Sequence, residues 1–254
     1  MKIDFHVHSL RSPDSRAEFA EIYAAAHAKG LSGLAVCDHN TFSPPPPCDD
    51  LLIIPGCEYS TTGGHLLALF LTTPLEHCVS RGADGLFPWE DLIAAAHQAG
   101  ALVFLAHPGT SPRSNDPALW HAVDGIEVYN ARAAHSRIRN ANRTAQERCA
   151  ALHKPFSAGS DAHFPNEVGS AYWECADVAP TLPAVRAALL SGRGRVFGGC
   201  ASPFYRPMSQ WIKLRRAKNF RALPKLLARF AYACLCAWRK PPAGYLDMEG
   251  AEKS

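Results

Sequence analysis

Short apolar runs alternating with helical stretches fill the first 200 residues of this 254-residue chain, and that pattern leaves few folds open. Residues 3–7, 34–36, 51–54, 66–71, 102–106, 125–129, 156–158 and 195–197 are apolar runs of strand length. Residues 17–29, 89–99, 133–152 and 182–190 have helical spacing, with Gly30 and Gly100 placed as stops for the first two. Four prolines at 44–47 make residues 43–50 a loop. Such alternation predicts a parallel α/β sheet, closed as a barrel or wound as an open layer. Neither GxGxxG nor GxxxxGK(S/T) follows any of these strands, which excludes the two common nucleotide fingerprints. No GxSxG is present either.

With 47% hydrophobic and 19% charged residues, the chain resembles ordinary soluble proteins, and its length suits one large α/β domain or two small ones. The first residues hold no long apolar run, and no stretch approaches the ~20 apolar residues of a spanning helix. A cytoplasmic protein is therefore expected. The nine cysteines are odd in number, scattered and without a CxxC pair, which points to free thiols. Cys37, Cys57 and Cys175 lie among apolar residues, where a buried thiol acts as a small hydrophobe.

The functional groups fall at the ends of strands. His6-Val7-His8 closes the first run, and Asp38-His39 follows the second. Glu58 follows 51–54, His107 follows 102–106, and Asp161 and His163 follow 156–158. In a parallel barrel the strand C-termini converge on one face, so groups distant in sequence meet in one pocket. Imidazole nitrogen and carboxylate oxygen suit Zn, Mn or Fe without any thiolate. In an extended His-x-His both side chains share a face and reach one ion, and the same holds for Asp161-x-His163. A lone histidine after a strand is ordinarily a surface or capping residue. Five strand ends that each carry such a group are read as a metal site. His27, His77, His97, His121, His135 and His153 lie in helices, helix edges or loops and are given no role.

These motifs resemble the polymerase and histidinol phosphatase (PHP) superfamily over about residues 1–200. The resemblance rests on His6-Val7-His8, on Cys37-Asp38-His39-Asn40-Thr41, on Glu58 with His65 and His107, and on Gly159-Ser160-Asp161-Ala162-His163. Ser12-Pro13-Asp14 and Gly125-Ile126-Glu127-Val128-Tyr129-Asn130 are similar to the family as well. The resemblance implies a distorted (β/α)7 TIM-like barrel with two or three divalent ions, Mn2+, Fe2+ or Zn2+. It implies that His6, His8, Glu58 and Asp161 hold a first metal. Glu58 would bridge to a second, held also by His65 and His107, and Asp14, His39 and His163 would hold a third. The assignments of His65 and Asp14 rest on the resemblance alone; by itself Asp14 reads equally well as a helix N-cap. Asp38 is expected to serve catalysis by orienting a ligand histidine.

The expected chemistry is phosphoester hydrolysis. Two metals can share a water and lower its pKa from about 16 toward about 7. Arg132, after the Tyr129-Asn130 strand end, is expected to grip a substrate phosphate with its fork, with Asn130 and Arg16 as further substrate contacts. The short region after Glu58 favours a small phosphorylated substrate: a nucleotide, a short oligonucleotide, histidinol phosphate or another small ester. An amidohydrolase-type barrel acting on C–N bonds also opens on His-x-His, but it needs a bridging lysine. Lys2, Lys29 and Lys154, the lysines of residues 1–200, are not placed for that. A non-catalytic, metal-stabilised partner-binding module would show lost ligands, and all nine ligand positions are competent.

Charge divides the chain. Residues 1–200 carry 15 basic and 20 acidic residues, whereas 201–254 carry 11 and 3; the whole is +3. A barrel domain over 1–200 and a basic, helical C-terminal extension over 201–254 are expected. Between Arg206 and Lys240 there are ten basic residues and no acid, and residues 223–238 read as an amphipathic helix interrupted near Pro224. Three readings stay open for this segment: packing on the barrel, binding nucleic acid, or lying on an anionic membrane. Cys234 and Cys236 add a weak suggestion of lipid attachment, and residues 247–254 read as a disordered tail.

Overall fold

A computed structural model describes residues 1–136, 140–238 and 243–246. In chain order the elements are β1 (Lys2–Val7), α1 (Phe19–Ala28), β2 (Gly33–His39), β3 (Leu52–Thr61) and β4 (Gly64–Leu69). They continue with α2 (Trp89–Gln98), β5 (Leu102–Leu105), α3 (Pro117–Ala122), β6 (Gly125–Asn130), α4 (Ala141–Ala151) and β7 (Phe156–Gly159). The last are β8 (Tyr172–Glu174), α5 (Leu182–Leu190), β9 (Arg195–Gly198), α6 (Tyr205–Arg216), α7 (Leu223–Cys236) and β10 (Gly244–Leu246). Gly30 and Gly100 follow α1 and α2 at φ +65° and +73°, the left-handed conformation that ends a helix.

The strands form one mixed sheet in the order β10-β9-β8-β1-β2-β3-β4-β5-β6-β7. It curls until residues beyond β7 return to β1: Val7 bridges Ala162 in parallel, and His8 N donates to Ala162 O at 2.8 Å. Seven strands thus follow one another around a TIM-like curve. The sheet is not wholly parallel, as the alternation predicted. β4 runs antiparallel to both β3 and β5, because Thr62-Gly63 joins β3 to β4 as a hairpin with no room for a helix.

Three element boundaries also depart from expectation. β3 continues beyond the expected run of 51–54, through Pro55-Gly56 to Thr61. Pro55 lies beyond the last β4 pair, Gly56 with Leu69, so its missing N–H costs no ladder bond on that side. The helix expected over 133–152 starts later: Ala133–His135 is a 3₁₀ turn, and α4 begins only after Asn140 at φ +60°. Pro224 sits in the first turn of α7, where proline is tolerated, and interrupts nothing.

Alternation in β1 explains how the core and the polar centre coexist. Ile3, Phe5 and Val7 point one way into apolar clusters, and Asp4 and His6 point the other way. Phe5 meets Trp173 edge-on, ring centroids 5.8 Å apart, and both are fully buried. The described cysteines are free thiols, with Cys37, Cys57 and Cys175 buried. No helix among the described residues is long and apolar enough to cross a membrane.

The C-terminal segment packs on the rest of the chain. Arg216 Nη1 donates to Ser12 O at 2.7 Å, and Tyr205 packs on Phe164 with centroids 5.1 Å apart. α7 buries Leu226, Ala233 and Cys236, while Leu227 and Leu235 are 60% and 72% exposed. The expected tail over 247–254, Arg239 and Lys240 lie outside the described residues.

Candidate metal centre

Glu58 stands at the middle of the centre. β3 sets it opposite His39 on β2 and Leu67 on β4. Its carboxylate is buried, with His39 at 2.9 Å, His65 at 2.7 Å, His107 at 2.9 Å, His8 at 3.3 Å and His6 at 3.5 Å. Burial alone would raise its pKa, but His65, His39 and His6 outweigh burial and hold it well below the ordinary range.

The histidines are locked from behind. Glu127 Oε1 accepts from His6 Nδ1 at 2.9 Å. Ser12 Oγ gives its one proton to Asp38 Oδ1 at 2.6 Å, so it accepts from His8 Nδ1 at 3.1 Å. The Nε2 atoms of His6 and His8 then face each other 3.1 Å apart. Two neutral imidazoles in these tautomers would aim lone pairs at one another. Only positive charge relieves that: a proton, which Glu127, Asp161 and Glu58 favour on His6 against the cost of its burial, or a metal cation. Two nitrogens on one tetrahedral zinc, each ~2.0–2.1 Å from it, lie about 3.3 Å apart, close to the spacing here.

Asp14 repeats the pattern. Its Oδ1 lies 3.5 Å from both His39 Nε2 and His163 Nε2 and, like Glu58 Oε2, is buried without a hydrogen bond among the described residues. His163 Nδ1 donates to Asp161 O at 2.9 Å, and burial with the charge of Arg132 lowers its pKa to about 3, so Nε2 offers a lone pair. Burial works the same way on His39, but Glu58 and Asp14 prevail and raise it to about 10. Ligand atoms within 4.8 Å of one another gather in four sets: His6, His8 and Glu58; Glu58, His65 and His107; His8, His39 and His163; and His6, His107 and Asp161. Orphaned buried oxygens, facing lone pairs and an all-His/carboxylate donor set fit divalent cations.

All nine expected ligand positions therefore meet in one place. Asp38 sits behind them, accepting from Ser9 N, Ser9 Oγ and Ser12 Oγ at 2.6–2.8 Å, and reaches His8 only through Ser12. Asn40, His107 and Asp161 hold positive φ (57°, 29° and 57°) at the strand ends around the centre. The substrate contacts fare differently. Arg132 commits its fork to buried Glu167, Nε to Oε1 at 2.8 Å and Nη2 to Oε2 at 2.5 Å, with Ser209 Oγ at 2.9 Å. This corrects the expected bidentate phosphate grip, since a buried guanidinium needs a partner and Glu167 supplies it. Asn130 lines the cavity but donates to Glu127 at 3.1 and 3.3 Å, a positioning bond. Arg16 is exposed and its side chain lines no part of the cavity.

Three groups were missed. Glu127 was noted only as part of a motif. Asp4, which accepts from Ser160 N, Ser160 Oγ and Gly169 N, anchors the loop of Asp161. Burial raises its pKa to about 6 against those hydrogen bonds. A buried acid in an apolar run was the only signal for either. Arg206 of α6 lines the cavity beside His107 and Asp161, and nothing in the strand-end pattern points to it.

Comparison with known proteins follows this geometry. Residues 139–193 match the family described as PHP-associated. An uncharacterised protein of Methanocaldococcus jannaschii is 31% identical over 181 residues, 68% of this chain and 69% of its own. The chain belongs to the PHP superfamily. A probable phosphatase of Syntrophotalea carbinolica is 28% identical over 200 residues, 66% of this chain and 83% of that one. The fold of a two-domain protein from Bacteroides vulgatus containing a PHP-like metal-dependent phosphoesterase is similar, with a TM-score of 0.58 at 19% identity. That match covers 83% of this chain and 69% of the other. The PHP assignment supports metal-dependent hydrolase chemistry in general terms.

Proposed function

We propose that this PHP protein hydrolyses phosphate esters of small molecules with two or three divalent ions, Mn2+, Fe2+ or Zn2+, in the Glu58 centre. The observation that carries this is one buried carboxylate within 3.5 Å of five histidines, with its Oε2 left without a hydrogen bond among the described residues. Bound there, such ions supply Lewis acidity and a water activated near neutral pH. The nine residues expected as ligands are proposed in that role. Glu127 and the Asp38–Ser12 pair orient His6 and His8, and Asn130 steadies Glu127. Arg206 brings positive charge to the cavity mouth, where it stabilises charge developing on the phosphoryl oxygens. Arg132, neutralised by Glu167, shapes the wall. The cavity measures about 130 Å³, well below the roughly 300 Å³ of sites that enclose a whole ligand, so it takes the reacting group alone.

No lysine lines this cavity among the described residues, and Glu58 holds the shared position, so the C–N hydrolase reading gains nothing. The test is metal analysis of purified protein with phosphate release from a panel of phosphate esters, beside Glu58→Gln and Asp161→Ala. Bound metal and turnover are expected in the wild type, and both variants should lose them. Unchanged turnover in both variants would reject the site.

A further inference from the structure

A second cavity, of about 240 Å³, adjoins the metal centre and shares Thr110, Arg132 and Arg206 with it. Arg206 of α6 and Lys225 and Arg229 of α7 bring three cationic side chains to its wall, beside Arg132, which Glu167 offsets. No acidic residue lines it among the described residues, and neither Arg206 nor Lys225 has an ion-pair partner there. Small apolar groups such as Pro203, Pro207 and Ala233 complete the lining.

The bland alternative is a solvated basic face. A solvated helix turns its charges to water and its apolar side chains to the protein. α7 sorts its side chains only in part: it buries Leu226, Ala233 and Cys236, yet leaves two leucines in water. Lys225 and Arg229, one turn apart, face the cavity, while Leu227 and Leu235 stand on the opposite side in solvent. A hollow with apolar walls and cationic side chains of one sign focuses the field that draws an anion in.

We propose that this cavity receives a second anionic group of the substrate, so that the substrate class is a small organic phosphate ester bearing a further phosphate or carboxylate. The proposal rests on the phosphoesterase reading and extends it. One end of the molecule enters the metal centre, Arg206 lies between, and Lys225 and Arg229 hold the other end.

Three substrates of equal alkyl chain length test it: a phosphate monoester ending in hydroxyl, one ending in carboxylate and one ending in phosphate. The metal-loaded wild type should favour at least one doubly anionic substrate in kcat/KM by about tenfold or more, the loss that one charge-assisted hydrogen bond produces. The preferred second group identifies the anion. Lys225→Glu, at an exposed position, should shrink that preference by a similar factor, chiefly through KM; Arg206→Ala should shrink it too while also slowing turnover of all three substrates. Lys29→Glu, on the exposed end of α1, should leave it intact. Equal kcat/KM for all three substrates, or a preference that survives both cavity variants, overturns the subsite. Failure to cleave any of them overturns the phosphoesterase reading and the subsite with it.

Discussion

Each ligand histidine here is as good as the group behind it. Glu127 fixes His6, and Ser12, itself fixed by Asp38, fixes His8. Glu127→Gln and Ser12→Ala are expected to weaken metal affinity by about 10–100-fold while the fold persists, as removal of such orienting partners does. Competition with a chelator reads this out, and affinity equal to wild type would show that the tautomers are set elsewhere. Glu167→Ala leaves the Arg132 guanidinium buried and uncompensated, and should cost about 3–5 kcal/mol in denaturant unfolding. The ligands themselves were legible in the sequence because strand ends and alternate positions carry a spacing signature. Glu127 and Asp4 were not, since one acid in an apolar run reads the same whether it caps, pairs or supports. Arg132 was legible as a site-lining residue but not in its bonding, because nothing local marks Glu167 as its partner.

Strand packing imposes its own demands. A Cβ on Gly159 of β7 would lie 2.3 Å from His6 Cβ and 2.8 Å from His6 N. Gly159→Ala should therefore push β1 and β7 apart and cut metal binding, although it touches no ligand atom; metal content per chain measures this. Truncation after residue 200 discriminates between a detachable tail and a segment that supports the site. α6 supplies Ser209 to Arg132 and Arg216 to Ser12 O, so turnover should be lost in the truncated chain. Retained turnover would make the segment an appendage. The strand–helix alternation was readable for most of the chain, yet β4 was placed in a parallel sheet. A two-residue hairpin between apolar runs leaves little trace against a helical connection when the flanking strand also contains Pro55 and Gly56.

At the scale of the molecule, cation binding and stability are linked. His39 has a pKa of about 10 in the folded chain against 6.5 ordinarily. Without metal, its pairing with Glu58 and Asp14 stabilises fully below about pH 6.5 and fades as pH rises through about 10. A divalent cation displaces that proton, so loading should release protons and tighten with pH. The rise in Tm on adding Mn2+ should accordingly grow from pH 6.5 upward, as melts with Mn2+ or with EDTA would record. An increment independent of pH would count against His39 as a ligand. Asn40, His107 and Asp161 keep left-handed backbones at the rim, conformations that cost of order 1–3 kcal/mol each and persist only where the surroundings enforce them. Those three bent posts belong to the polypeptide rather than to its cargo, so the spacing of the donors is imposed on an arriving ion, and ions of the wrong radius meet a frame that does not yield.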